Sequence, residues 1–369
     1  MTKENAPDIV FVIGSMMSGG AERIASQLIN RFVNQKHNVL LVTFSSEDDF
    51  YDIDPRCRRQ NYSPKGNGAI SRTINLIFKL RQVLVSRRPN LGVISFIDYS
   101  NVVTLVAALG LKIPVIVSER VHPAHHKVSL FVRLGRRFFY PKATSVVGQT
   151  TSVASYLSQR YGLKNVTVIP NPVKIKQKTC QGLIPFDPDW PKIVLFSVSR
   201  ICDQKRLDVL VTAAVMLWKR HGFAVDIHIF GAGSSEEINN LFSLVPEGSS
   251  VKLEVKEPIK DVFEKCPKNG VFILTSDYEG FPNALVEAIA EGYPVFTSRF
   301  DGIEDVLANS AIEAVSFECG DASSLSDLIY RYFTDFDYSV ASKKALLEAK
   351  NCFQPIEQIA PEFVRLMEN

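Results

Sequence analysis

Asp8-Ile-Val-Phe-Val-Ile-Gly14-Ser-Met-Met-Ser-Gly19-Gly20-Ala-Glu-Arg23 is the stretch on which the fold turns. A short apolar run ends on a glycine, paired glycines follow, and Ile24, Leu28, Ile29 and Phe32 then recur at helical spacing. Strand, glycine turn and helix make one βα unit, and such units build parallel sheets. Working outward, Val39–Phe44, Gly92–Phe96, Val115–Ser118, Ser145–Val147 and Val166–Ile169 read as further strands. Helical stretches at Ile70–Arg87, Val102–Leu109, Leu130–Tyr140 and Ser152–Tyr161 lie between them. The alternation pauses at Pro170-Asn-Pro172 and a polar stretch to Trp190, then resumes. Strands are expected at Lys192–Val198, Ala224–Phe230, Val251–Leu253, Val271–Leu274 and Pro294–Ser298, with helices at Leu207–Lys219, Glu236–Leu244, Ile259–Lys265 and Asn283–Glu291. Ser324–Thr334, Val340–Asn351 and Pro355–Glu368 finish the chain as helices. The reading is α/β: two tandem, doubly wound, Rossmann-like domains, 1–172 and 173–350, with a C-terminal helical segment 351–369 expected to pack back on the first. Ligands of such sheets bind beyond the carboxyl ends of the strands, so a cleft between the domains is the expected site.

Length and composition agree. The 369 residues suit two domains, and 46% hydrophobic with 22% charged residues excludes disordered, collagen-like and disulfide-scaffold classes. The six cysteines are scattered without CxxC or CxxH spacing, which argues against zinc and for a reducing compartment. The start MTKENAPD has no basic n-region, so no secretory signal is expected. Val102–Val117 is interrupted by Lys112 and Pro114 and falls short of the about 20 apolar residues of a membrane span. The net charge of +3 conceals an asymmetry. Residues 1–172 hold 22 Lys+Arg against 10 Asp+Glu, a net +12, while the remainder holds 20 against 29, a net −9. So basic a half suits an anionic partner; no zinc finger, helix-turn-helix or RNA-recognition signature accompanies it, so nucleic acid is not expected.

Three segments carry chemistry. Gly19 and Gly20 precede a helix whose free N–H groups favour an anion, although GxGxxG is absent. Ser199-Arg200-Ile-Cys-Asp-Gln-Lys205 follows the first strand of the second domain. There Arg200, a planar fork, and Lys205, a compact charge, can grip a diphosphate. In Ser276-Asp-Tyr-Glu279-Gly-Phe-Pro-Asn-Ala-Leu-Val-Glu287, Gly280 and Pro282 place Glu279 in a loop and Glu287 on the first turns of a helix. Both carboxylates can then meet the hydroxyls of one ligand, and the amides of Asn283, Ala284 and Leu285 suit a phosphate. Phe281 and Pro282 belong to the same donor-binding segment.

Together these residues resemble the GT-B glycosyltransferases, specifically glycosyltransferase family 4, over nearly the whole chain. The resemblance rests on Ser18-Gly-Gly-Ala-Glu-Arg23, Val168-Ile-Pro-Asn-Pro-Val173, Arg200 with Lys205, Phe230-Gly-Ala-Gly233 and Glu279-x7-Glu287. It implies that Arg200 and Lys205 bind the donor pyrophosphate, Glu279 the transferred sugar and Glu287 the ribose, with Gly19–Gly20 beside the phosphate. It also implies retention of anomeric configuration with no metal or other cofactor. Two departures stand out. Where many members carry a histidine after the strand at Val115–Ser118, this chain reads Ser118-Glu-Arg120-Val-His122-Pro, which makes Arg120 and His122 the candidate acceptor or sugar contacts. The pattern is similar to a subset that builds bacterial surface polysaccharides. Arg206 also stands where the family often has a glycine after the lysine.

In 125–140, Lys127, Arg133, Arg136 and Arg137 mix with Leu130, Phe131, Leu134, Phe138 and Phe139, a helix suited to an anionic bilayer. The expected function is transfer from a UDP- or GDP-sugar to a glycan acceptor, polyprenyl- or lipid-linked, at the cytoplasmic face of the inner membrane. A GT-B-shaped epimerase, a phosphorylase and a non-catalytic polyanion- or sugar-binding protein are the alternatives.

Overall fold

Every strand described runs parallel to its neighbours, in one of two sheets. The computed structural model describes residues 6–63, 68–174 and 192–368; the polar stretch up to Trp190, from 175 on, and Cys180 lie outside them. Two units emerge, one of residues 1–172 with 354–369 and one of residues 173–353.

The first unit begins β1 (Ile9–Ile13), α1 (Gly20–Asn34), β2 (Val39–Thr43), β3 (Arg58–Asn61), α2 (Ala69–Arg87), β4 (Gly92–Phe96) and α3 (Asp98–Ala108). It continues with β5 (Val115–Ser118), α4 (Leu130–Phe138), β6 (Ser145–Gly148), α5 (Thr151–Tyr161) and β7 (Val166–Val168). The sheet order is β3-β2-β1-β4-β5-β6-β7, so the chain switches direction across the sheet between β1 and β4. Central strands such as β1 and β4 are buried throughout, as covering helices on both faces require. Arg58-Arg-Gln-Asn61, without an apolar signal, is nonetheless a strand because it zips onto β2 in register, Leu40 opposite Arg58. At an edge its polar side chains reach solvent.

The second unit runs β8 (Ile193–Val198), α6 (Leu207–His221), β9 (Val225–Phe230), α7 (Ser235–Ser243), β10 (Val251–Lys256), β11 (Val271–Leu274) and α8 (Asn283–Glu291). Then come β12 (Val295–Ser298), α9 (Asn309–Val315), β13 (Ser316–Phe317), α10 (Ala322–Thr334) and α11 (Phe336–Lys350). Its sheet order is β10-β9-β8-β11-β12-β13. The expected helix at Ile259–Lys265 shrinks to a single 3-10 turn, Val262–Glu264. Pro258 and Pro267 flank it and Asp261 is left-handed at φ 50°, which a helix does not continue through.

The last helix, α12 (Ile356–Glu368), belongs to the first unit. Ile359, Ala360, Phe363 and Met367 are buried in the same core as Ile9, Phe11, Ile13 and Phe96, and Phe363 packs on Phe96 with ring centroids 6.3 Å apart. Gly92 opens β4 beneath this helix; a Cβ there would meet the Pro114 carbonyl at 2.7 Å and the Met367 sulfur at 3.2 Å.

Candidate active site

In the second unit the loops leaving β8 and β11 are tied together. Thr275 Oγ1 donates to the Lys205 carbonyl at 2.6 Å, the Asp277 amide to the Gln204 carbonyl at 3.0 Å, and Gln204 Nε2 to the Tyr278 carbonyl at 2.7 Å. These bonds set Lys205 Nζ 2.5 Å from Glu279 Oε1, which also accepts from Ser276 Oγ at 2.7 Å. Lys205 and Glu279 are 15% and 8% exposed, so the pair is mostly shielded while one edge faces out. Arg200 follows β8 by two residues and is exposed; no described carboxylate pairs with it.

Glycines hold this loop in place. A Cβ on Gly231 would sit 1.8 Å from the Ser199 carbonyl oxygen, and one on Gly233 2.6 Å from Ile201 Cβ. The Phe230-Gly-Ala-Gly233 segment is therefore the shelf against which the Arg200 loop lies, hydrogen-bonded through Ser199 to Phe230 and Ile201 to Ala232.

Arg206 occupies the place of the missing glycine and adopts the left-handed conformation, φ 44° and ψ 45°. For a side-chain-bearing residue this costs about 1–2 kcal/mol. Its guanidinium is held by Asp208 at 3.0 Å and Asp277 at 3.4 Å, which offsets part of that cost and adds another tie between the two loops. With Asp208 first among the causes, its pKa is raised.

The Glu279–Glu287 segment divides as the sequence suggests: Glu279 lies in the loop and Glu287 is the fifth residue of α8. Phe281 and Pro282 are buried and form the entry to α8. Of the three amides offered to a phosphate, Asn283 instead donates to the Phe281 carbonyl at 2.9 Å. Ala284 and Leu285 supply first-turn amides, which have no partner four residues back. In the first unit, Gly19 precedes α1 with φ −169°, which any residue adopts, and Gly20 is the first residue of α1. The nearest atoms to a Cβ at Gly19 would be those of the Glu22 carboxyl, the end of a flexible side chain.

His122 is buried. Its Nδ1 accepts from the Ala124 amide at 3.3 Å, its Nε2 lies 3.2 Å from Ser152 Oγ, and its ring packs on His125 and Tyr156. Arg120 is partly buried, with Nη1 2.6 Å from Asn171 Oδ1 and the guanidinium 3.5 Å from the Phe96 ring centroid.

One expectation is corrected. Arg136 is no surface cation of the basic helix: it is 1% exposed, with Nε and Nη2 2.8 and 2.9 Å from the two Glu119 oxygens and Nη2 3.4 Å from Asp98 Oδ2. Gly135 lets α4 lie close on α3, where a Cβ would meet Val102 at 2.4 Å, and that approach carries Arg136 to the carboxylates. Tyr140 donates to Glu119 Oε1 at 2.6 Å and His126 Nδ1 is 3.0 Å from Asp98. Burial opposes the Arg136 charge, but Glu119 and Asp98 hold its pKa above the usual value. Burial likewise pushes up the Asp98 carboxyl, yet His126 and Arg136 keep it below the ordinary range; the His126 imidazole is raised, first by its bond to Asp98. Only the spacing from Glu119 to Arg136 was in the sequence, and nothing in it joins the two.

Residues 18–177 match the family model Glycosyltransferase Family 4, and residues 185–345 match Glycosyl transferases group 1. The chain is similar to a Campylobacter jejuni protein, GalNAc-alpha-(1->4)-GalNAc-alpha-(1->3)-diNAcBac-PP-undecaprenol alpha-1,4-N-acetyl-D-galactosaminyltransferase. The two are 25% identical over 89% of this chain and 90% of that one. It is 26% identical to the amylovoran biosynthesis glycosyltransferase AmsD of Erwinia amylovora, over 86% and 83% of the two chains. Its fold is shared with Anabaena HepE, solved with UDP and glucose, at a TM-score of 0.78 and 16% identity over 98% of this chain and 100% of that one. Sucrose-phosphate synthase of Thermosynechococcus elongatus gives a TM-score of 0.79 at 15% identity, over 98% of each chain.

Proposed function

The chain belongs to the family-4 glycosyltransferases of GT-B fold, and on that premise we propose that it moves a sugar from a nucleotide diphosphate sugar to a lipid-linked glycan acceptor in surface polysaccharide assembly. The observation that carries this reading is the Lys205–Glu279 pair in the loops that follow β8 and β11, ahead of α8, with exposed Arg200 in the same loop as Lys205. The second unit binds the donor, UDP- or GDP-linked. Arg200 and Lys205 take the charge of the leaving diphosphate, with the Ala284 and Leu285 amides beside them, so the reaction needs no divalent metal. Glu279 holds the transferred sugar and Glu287 the ribose. Gly19 and Gly20 of the first unit are assigned to phosphate binding, and Arg120 and His122 to the acceptor. The acceptor hydroxyl attacks the anomeric carbon on the face the diphosphate leaves. The carbon–oxygen bond to phosphate breaks as the new one forms, the hydroxyl proton passes to the departing phosphate oxygen, and configuration is retained.

The lipid-linked acceptor is supported by the Campylobacter relative's named substrate, and UDP by the ligand of HepE. Association with an anionic membrane, which we place at the cytoplasmic face, is supported in its membrane part by α4. Leu130, Leu134 and Phe138 form an exposed stripe, 58%, 44% and 57% accessible, flanked by exposed Arg133 and Arg137. On α2, Ile70, Ile74 and Phe78 repeat that spacing with Arg72 alongside. Such faces lie in the plane of a bilayer surface. Among the described residues no helix is long and apolar enough to cross a membrane.

Thermal unfolding with a panel of UDP- and GDP-sugars, in chelator, tests the donor half. One nucleotide is expected to raise the melting temperature of the wild type and not of Glu287→Ala. Stabilisation only after a divalent cation is restored would refute the metal-independent reading, and an equal shift in Glu287→Ala the ribose role.

A further inference from the structure

Two neighbouring residues in the first unit meet opposite fates. Glu119 is committed to Arg136, Tyr140 and the buried network around them. Arg120 has no such partner: among the described residues no carboxylate pairs with it, and its Nε is out of reach of water with nothing to bond. Its surroundings come from the ends of four adjacent strands. Phe96, the last residue of β4, lies under the guanidinium. Arg120 itself follows β5. Gln149, after β6, donates through Nε2 to Asn171 Oδ1 at 2.9 Å, and Asn171, after β7, takes Arg120 Nη1 on the same oxygen. The Gln149 Oε1 is buried without a partner.

We propose that Arg120, seated on Phe96 and braced by Asn171, is an oxyanion-binding residue of the acceptor side, its Nη2, which neither Asn171 nor the interior takes up, donating to a phosphate or carboxylate group of the acceptor. A charged guanidinium N–H binds such an oxyanion about twice as strongly as a neutral donor does. Burial without a counter-charge pushes the guanidinium down to about 9, so at neutral pH it is still a cation, kept at a desolvation cost that an anion relieves. The carboxyl ends of parallel strands are also where such folds bind ligands. This deepens the transferase reading, on which it rests for the ligand's origin.

Sodium pyrophosphate is titrated calorimetrically into the full chain carrying Arg200→Ala and Lys205→Ala, which removes the donor-side cations. Binding is expected to persist there and to weaken at least about tenfold when Arg120→Met is added, the worth of one charged hydrogen-bond set. Arg120→Lys, which keeps the charge but not the fork, is expected to fall between. Glucuronate titrated in parallel separates the sources: tighter pyrophosphate assigns a carrier diphosphate, tighter glucuronate an acidic sugar. No pyrophosphate or glucuronate binding by the double variant, or binding unchanged by Arg120→Met, overturns the proposal. The transferase reading is judged separately, by the nucleotide-sugar shift in a chain whose only change is Arg120→Met.

Discussion

Both units place cations at the carboxyl ends of their strands, but they treat them differently. In the first, Arg136 is sealed among Glu119, Asp98 and Tyr140 and has no edge left for a ligand. In the second, Lys205 keeps a 15% exposed side chain against one carboxylate, and Arg200, two residues past β8, is exposed. A saturated cation holds structure; one left partly satisfied is available for chemistry. Residue type and local charge do not separate the two cases, because only the number of partners does.

The sharpest break of this contrast is Arg136→Met. It strands buried Glu119 and should cost about 3–5 kcal/mol of unfolding free energy in a urea titration. The nucleotide-sugar shift should survive at temperatures where the protein stays folded. Lys205→Ala should do the reverse, lowering turnover about 10²–10³-fold, some 2.7–4 kcal/mol in the barrier, as loss of a transition-state donor does. Steady-state kinetics beside the melting temperature would read it; a large stability loss with normal turnover would put Lys205 in the same class as Arg136.

Gly231→Ala tests the shelf under Arg200. With backbone oxygen 1.8 Å from the new Cβ, the loop must move, for about 1–3 kcal/mol of stability and weaker donor binding. Arg206→Ala keeps the left-handed strain and discards both ion pairs, whereas Arg206→Gly discards the pairs and the strain together. The glycine variant should be the more stable of the two by about 1 kcal/mol; equal melting temperatures would show that the loop relaxes. The smallest effect is a pH dependence at the rim of the sealed network. His126 has a raised pKa in the folded chain, so its pairing with Asp98 stabilises fully below its unfolded value. That contribution is lost as pH rises through the higher folded value. Because the ring is 39% exposed, the loss should be on the order of 0.5 kcal/mol, and His126→Gln should flatten the curve between pH 6 and 8.

The strands β1, β2, β4, β5 and β6 were legible in the sequence because a strand buried on both faces is a continuous apolar run. Two of the four edge strands were not. Arg58–Asn61 carries no hydrophobic signal and Ser316–Phe317 is only two residues long, so pairing with one neighbour each is what makes them strands. Helix α3 starts at Asp98, four residues before the expected Val102, because the polar residues Asp98, Ser100 and Asn101 are buried there by partners remote in sequence.

The sequence alone determined the alternation of strand and helix, the glycine turns and the order of the motifs that mark the family, since each depends on a few neighbouring residues. The tertiary structure decided which cations are spent. Arg136 and Arg120 lie 16 positions apart in one basic stretch, and only folding brings Glu119 and Asp98 to the first and leaves Phe96 and Asn171 for the second. It likewise decided which residues of α12, a segment expected to pack back on the first domain, enter the core of the first sheet: Ile359, Ala360, Phe363 and Met367. Charge compensation and core packing are sums over contacts distant in sequence, and local pattern carries no term for them.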